Sequence, residues 1–165
     1  MSVVACSLRE PRVLIGPAVT IFVLQMTPQL RRAERGDVGA MQRIRASVKE
    51  NRLTSRALSE ADYLQAIERD GRGWVMEVDG QVLGFAIANS VTGNVWALFV
   101  DPQHEGQGHG RRLHDAMIEW LWSQGPRQLW LATESGTRAQ RFYESAGWRL
   151  ADKTEHGDLR YELTR

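Results

Sequence analysis

Between Trp96 and Leu113 the chain runs through an apolar stretch, an Asp101-Pro102 turn, three glycines at alternate positions and the start of a basic amphipathic stretch. No other feature so narrows the folds open to it, because a buried strand must stop, turn and hand the chain to a helix within one short loop. Glycine reaches backbone angles closed to other residues, so Gly106, Gly108 and Gly110 allow successive N–H groups to turn into one concavity above the first turn of that helix. A helix N-terminus favours an anion by about 0.3–1 kcal/mol near the surface, and Arg111 and Arg112 add charge-assisted hydrogen bonds. The segment therefore reads as a site for a phosphate or diphosphate.

Spacing then excludes the two commoner glycine loops. A P-loop needs Gly-x-x-x-x-Gly-Lys-Ser/Thr, but here the last glycine is followed by Arg111-Arg112-Leu113, with no lysine for the terminal phosphates and no hydroxyl for magnesium. A dinucleotide fingerprint needs Gly-x-Gly-x-x-Gly, and counting from Gly106 its third glycine falls on Arg111. A nucleotide- or dinucleotide-binding enzyme is thereby disfavoured, and a tighter loop remains.

The rest of the chain sets bounds on size and surroundings. Its 165 residues, 42% hydrophobic with six tryptophans, suffice for one domain with an ample core. Twenty-one basic against twenty acidic residues leave a net charge of +1, so neither nucleic acid nor a membrane surface is an expected partner and any phosphate affinity is local. The single cysteine, Cys6, excludes an internal disulfide and a cysteine-based zinc site, and no His, Asp and Glu grouping has ligand spacing, so no metal is expected. The cysteine usage fits a cytoplasmic protein. The apolar run Val13–Leu24 contains Gly16 and Pro17 and is shorter than the ~20 residues that span a bilayer. Glu10 sits among the arginines before that run, and no Ala-x-Ala site follows it, so residues 1–26 read as an extension outside a core of residues 27–165.

Periodicity gives the elements. Thr27 to Glu34 reads as a first strand. Asp37 is placed to cap a helix with the stripe Val38, Met41, Ile44 and Val48, and Ser59 with Asp62 opens a second helix carrying Leu64 and Ile67. Trp74–Val78, Asp79-Gly80 and Gln81–Ala88 form a β-hairpin signal, and Val95–Val100 is the next strand. Leu113, Ala116, Met117, Trp120 and Leu121 give a third helix its core face. Gln128–Thr133 is a buried strand, Thr137–Ser145 a helix, and Trp148–Ala151 with Leu159–Thr164 a closing pair of strands.

The loop Glu105-Gly106-Gln107-Gly108-His109-Gly110 resembles the acyl-CoA loop of the GNAT superfamily of N-acetyltransferases, Gln/Arg-x-x-Gly-x-Gly/Ala between the fourth strand and the third helix. Leu129–Thr133 and Gly136 to Trp148 are similar to that superfamily's fifth strand, its fourth helix with a tyrosine, and the Gly-aromatic step into the sixth strand. The resemblance covers residues 27–165. It implies an α/β (α+β) fold: a central mixed, mostly antiparallel sheet of six to seven strands, flanked by four helices, with strands four and five splayed. It implies acetyl-CoA as acyl-donor cosubstrate and transfer to a primary amine, on a small molecule or a peptide, by direct attack. By the same resemblance Leu98, Phe99 and Val100 supply backbone contacts to the pantetheine arm and one oxyanion N–H. Glu105, Gly106, Gln107, Gly108, His109, Gly110 and Arg111 hold the diphosphate, and Tyr143 protonates the leaving thiolate. A non-catalytic acyl-CoA-binding module is the alternative; it would keep the glycines but could dispense with Tyr143. Homodimers are a further expectation for such folds.

Two positions depart from the pattern. Glu105 stands where the superfamily prefers Gln or Arg, and its carboxylate is expected to point away from the diphosphate. Gly136 replaces a frequent asparagine, leaving Ser135 or Thr137 to cap the fourth helix. No base for the incoming amine is evident: Glu77, Glu50 and Glu134 are candidates, each better read as a solvated or capping residue. His104 and His109 flank the loop and could titrate near neutral pH, but they read as exposed loop histidines rather than catalytic ones, and His114 as surface. The loop Lys49–Leu58 is expected to shape the acceptor site, and its mixed charges select no class of amine.

Overall fold

The computed structural model describes residues 27–49, 58–155 and 157–165. The extension 1–26 with Cys6, Glu50 and most of the loop between the first two helices lie outside the described residues. Four antiparallel strands come first: β1 (Gln29–Arg32), β2 (Gly71–Val78), β3 (Gln81–Asn89) and β4 (Asn94–Val100). Asp79 and Gly80, at φ 49° and 74°, make the tight turn between β2 and β3, because a two-residue hairpin with positive φ at both positions matches the strand twist. The chain then crosses to β5 (Gln128–Thr133), β6 (Arg149–Lys153) and β7 (Leu159–Thr164), completing a sheet of order β1-β2-β3-β4-β5-β7-β6 in which only β4 and β5 run parallel.

Period-two alternation divides the central strands between two cores. Val75, Phe85, Ile87 and Ala97 face α1 (Val38–Ser47) and α2 (Glu60–Glu68), where Met41, Ile44, Tyr63 and Ile67 meet them. Met76, Ala86, Ala88 and Val95 face the other way, with Leu113, Met117 and Leu121 of α3 (His109–Ser123) and Tyr143 of α4 (Arg138–Ser145). Each fully buried side chain of this size contributes about 1.5–3 kcal/mol. This is the fold the resemblance implied: a mixed, seven-stranded sheet between two helical layers.

Several local expectations need correction. In α2 the buried stripe is Tyr63, Ala66 and Ile67, and Leu64 is only half-buried, because the large Tyr63 takes the inward position against Phe85 and Trp96. Val48 lies past the end of α1 in extended backbone. Asp37 does not cap α1. Its carboxylate accepts two hydrogen bonds of 2.8 Å from Arg31 and one from the Glu34 N–H, and the Arg31 bonds hold it below the usual carboxylate range. The Ser59–Asp62 capping box and the Thr137 cap form as read.

Candidate active site

β4 and β5 share a single bridge, Asn94 with Trp130. That end is tied down: the Trp130 N–H donates to Gly93 O (3.0 Å), the Asn94 amide to Trp130 O (3.2 Å) and the Trp130 indole to Thr92 O (3.0 Å). Beyond it the strands part, and a cleft of about 730 Å³ opens between them. The register of β3 on β4 skips Trp96, a β-bulge that places this residue on the α1–α2 side beside Tyr63.

The glycine loop stands at the open end. Asp101 anchors it: its N–H donates to Leu83 O (2.8 Å), its carbonyl accepts from His104 N–H (2.8 Å), and its side chain accepts from Gln103 N–H (2.9 Å). Gly106 and Gly108 have φ of 73° and 83°, so both occupy the left-handed region, and Gly108 is the residue before α3 begins. Gly110 differs from the expectation, since it is already inside α3 in ordinary helical backbone, and an added Cβ would meet only Val100 at 3.6 Å. The structure brings Leu98, Phe99, Val100, Glu105, Gly106, Gly108, His109, Gly110, Arg111 and Tyr143 together in the walls of one cleft. Gln107 is exposed and does not line the cleft. The left-handed glycines, a long helix's N-terminus and Arg111 together suit a diphosphate.

Glu105 is paired rather than loose: its carboxylate accepts from both terminal guanidinium nitrogens of Arg138 at the start of α4, one of them at 2.6 Å, across the cleft rim. His109 is 4% exposed, and neither ring nitrogen has a hydrogen-bond partner among the described residues. Burial, with the charges of Arg112 and His104, lowers its pKa. The reading of His109 as an exposed loop residue is overturned, because α3 begins at His109 and turns it inward.

Tyr143 is 6% exposed, and burial pushes its phenol pKa well above the usual value. Trp148 packs edge-on against it at 5.9 Å, and His114 lies 6.4 Å away. His114 is also buried, contrary to its surface reading. It accepts from the Trp148 indole N–H through Nε2 (3.0 Å), which leaves Nδ1 to donate to Asp115 (2.8 Å), and burial lowers its pKa. This bond joins α3 to the chain after α4 and steadies the wall carrying Tyr143.

Of the candidate bases, Glu77 is excluded by position. It pairs with Arg31 at the β1–β2 edge, accepting from Nε at 2.7 Å, and lines no part of the cleft. Glu134 is on the wall, and so is Asp158, which the sequence did not single out. Arg45, Trp96, Arg138 and Phe142 also line the cleft unannounced. Arg45 sits at the end of a helix stripe and meets β4 residues about fifty positions away, so no local pattern marked it. Among the described residues no three His, Cys, Asp or Glu side chains gather as a metal site, and no helix is long and apolar enough to cross a membrane.

Residues 39–148 match the acetyltransferase (GNAT) family. The chain is 34% identical over 70 residues to a [ribosomal protein bS18]-alanine N-acetyltransferase of Haemophilus ducreyi, a match covering 41% of this chain and 48% of that protein. It is 26% identical over 145 residues to an uncharacterized N-acetyltransferase of Archaeoglobus fulgidus, covering 78% and 98%. The fold is similar to that of the PaiA N-acetyltransferase of Thermoplasma acidophilum in complex with coenzyme A, with a TM-score of 0.72 at 16% identity over 85% of this chain and 100% of that one.

Proposed function

The chain belongs to the acetyltransferase (GNAT) family, and from that premise we propose that it is an acetyl-CoA-dependent N-acetyltransferase acting on a primary amine by direct attack. The observation that carries this reading is the parting of β4 from β5, with a left-handed glycine loop at its open end and Tyr143 on its wall. Acetyl-CoA supplies the acyl group as a thioester already activated toward an amine. The N–H groups from Glu105 to Arg111 take the diphosphate, without the Gln107 side chain. Leu98, Phe99 and Val100 offer backbone along the edge β5 leaves unpaired, and one N–H there polarises the carbonyl.

Burial keeps Tyr143 neutral through the physiological range, so its hydroxyl is a donor to the sulfur as the carbon–sulfur bond breaks. The amine must attack unprotonated, and Glu134 or Asp158 receives its proton through ordered water. That first proton leaves before attack; as the carbon–nitrogen bond forms and the carbon–sulfur bond breaks, the sulfur takes the Tyr143 proton, and the second proton lost by the nitrogen passes through ordered water to restore the phenol. The Haemophilus relative is named for an alanine of ribosomal protein bS18, so the acceptor class includes a peptide amine as well as a small one.

The test is calorimetric titration of the full chain with acetyl-CoA beside ATP and NAD, followed by thiol release from Tyr143→Phe with an accepted amine. Micromolar binding of acetyl-CoA alone and a 10²–10⁴-fold fall in kcat, the usual worth of a general acid, are expected. Full kcat in Tyr143→Phe removes the phenol from the chemistry, while binding without turnover of any amine leaves an acyl-CoA-binding module.

A further inference from the structure

Arg45 lies in the last turn of α1 and reaches the cleft from the face of the sheet opposite α3. Its guanidinium carbon stands 5.1 Å from the Phe99 ring centre and 5.7 Å from that of Trp96, the bulged residue of β4. Tyr63 steadies Trp96 edge-on at 5.5 Å, and Phe85 packs against Phe99 at the same distance. Two aromatic faces thus fix the plane of the guanidinium. Its Nε is buried without a hydrogen-bond partner, the Tyr63 hydroxyl is the polar group that interacts with the guanidinium, and among the described residues no carboxylate forms an ion pair with it. The other cleft cations are placed differently. Arg111 stands over Phe142 on the α3 side beside the glycine loop, and Arg138 is joined to Glu105. A planar cation clamped by rings, open to a cleft and paired with no acid among the described residues, is built to receive a planar anion.

We infer that the acceptor amine carries a carboxylate and that Arg45 receives it. The inference rests on the acetyltransferase reading above and names its acceptor class. A donor bound at the glycine loop enters from the α3 side. The acceptor then approaches from the α1 side, past Trp96 and Phe99, with its amine leading into the gap between β4 and β5 and its carboxylate held behind on Arg45. A free amino acid and a peptide with an acidic first residue both present this chemistry.

The experiment measures thiol release from acetyl-CoA by the full chain with the free L-amino acids and their C-terminal carboxamides, and with peptide amides beginning in Asp or Glu beside those beginning in Asn or Gln. At least one acid should exceed its own neutral partner by tenfold or more in kcat/KM, and the set in which this happens identifies the source of the carboxylate. Arg45→Gln should bring that acid down to its neutral partner through KM, and Arg45→Lys should retain part of the preference. Acetyl-CoA affinity should persist in both variants, which shows them folded. Equal use of acids and neutral partners overturns the inference, as does a preference that survives in Arg45→Gln, or turnover of no acid by a protein that binds acetyl-CoA. Failure to bind acetyl-CoA at all would instead remove the reading on which the inference rests.

Discussion

Replacing His109 with leucine should stabilise the protein, although the residue sits in the loop that defines the site. The imidazole is 4% exposed, and both of its nitrogens lack a hydrogen-bond partner among the described residues. A buried polar group without a partner costs about 1–3 kcal/mol, and an apolar residue of similar size removes that cost. A shape mismatch returns up to about 1.5 kcal/mol, so a net gain near 1 kcal/mol is expected at pH 7.5. Acid should enlarge it. Burial, with the nearby Arg112 and His104 charges, depresses the folded-state pKa of His109 below the ordinary 6.5. Above pH 6.5 neither state binds the proton and the His109 contribution is fully present. Below pH 6.5 the unfolded chain takes up a proton that the folded chain refuses, and wild-type stability falls by up to about 1.4 kcal/mol per pH unit until the folded pKa is reached. His114 behaves in the same direction but is common to both proteins and cancels. Urea unfolding at pH 7.5 and 5.5 reads both terms, with the His109→Leu variant more stable at each and its margin wider at 5.5. A variant less stable than wild type at both values, or a margin that does not move with pH, would refute the argument.

Two further outcomes test the walls of the cleft. Glu105→Gln should leave acetyl-CoA affinity unchanged or improved, because the Glu105–Arg138 pair has side chains 27% and 54% exposed, is worth at most about 1 kcal/mol, and places a negative charge at the rim of an anion site; a tenfold weaker Kd by calorimetry would make that carboxylate part of the binding machinery. Gly84→Ala should lower stability by roughly 1–3 kcal/mol in a chemical melt, since its Cβ would fall 2.9 Å from the Phe99 carbonyl and 3.2 Å from Leu113; unchanged stability would mean that α3 and β4 are less tightly apposed than they stand.

The sequence carried whatever repeats locally. The hairpin at Asp79-Gly80, the capping box at Ser59 and the core stripe of α3 are written in spacings of two to four residues, and all three form. The glycine loop was legible for the same reason, although Gly110 proved to be helix rather than loop. What escaped was set by partners far along the chain. His114 is buried because Trp148, 34 residues on, donates to it. Glu77 leaves the list of bases because Arg31, 46 residues earlier, claims it. Arg45 enters the site only through the stacking of α1 on a bulged strand. A periodicity assigns a residue to a face, and the phase of α2 shows that even this slips by one position when a tyrosine competes with a leucine for the interior.

An unpaired strand edge on a protein's outside is a hazard, because any passing chain can add to it and start an aggregate. Here both outer strands carry charge, with Arg31 and Arg32 on β1 and Arg149, Asp152 and Lys153 on β6. The backbone left open by the parting of β4 from β5 lies instead in the middle of the sheet, reached only through the cleft. The molecule thereby keeps the adhesiveness of a bare strand for a slender guest and withholds it from whole proteins.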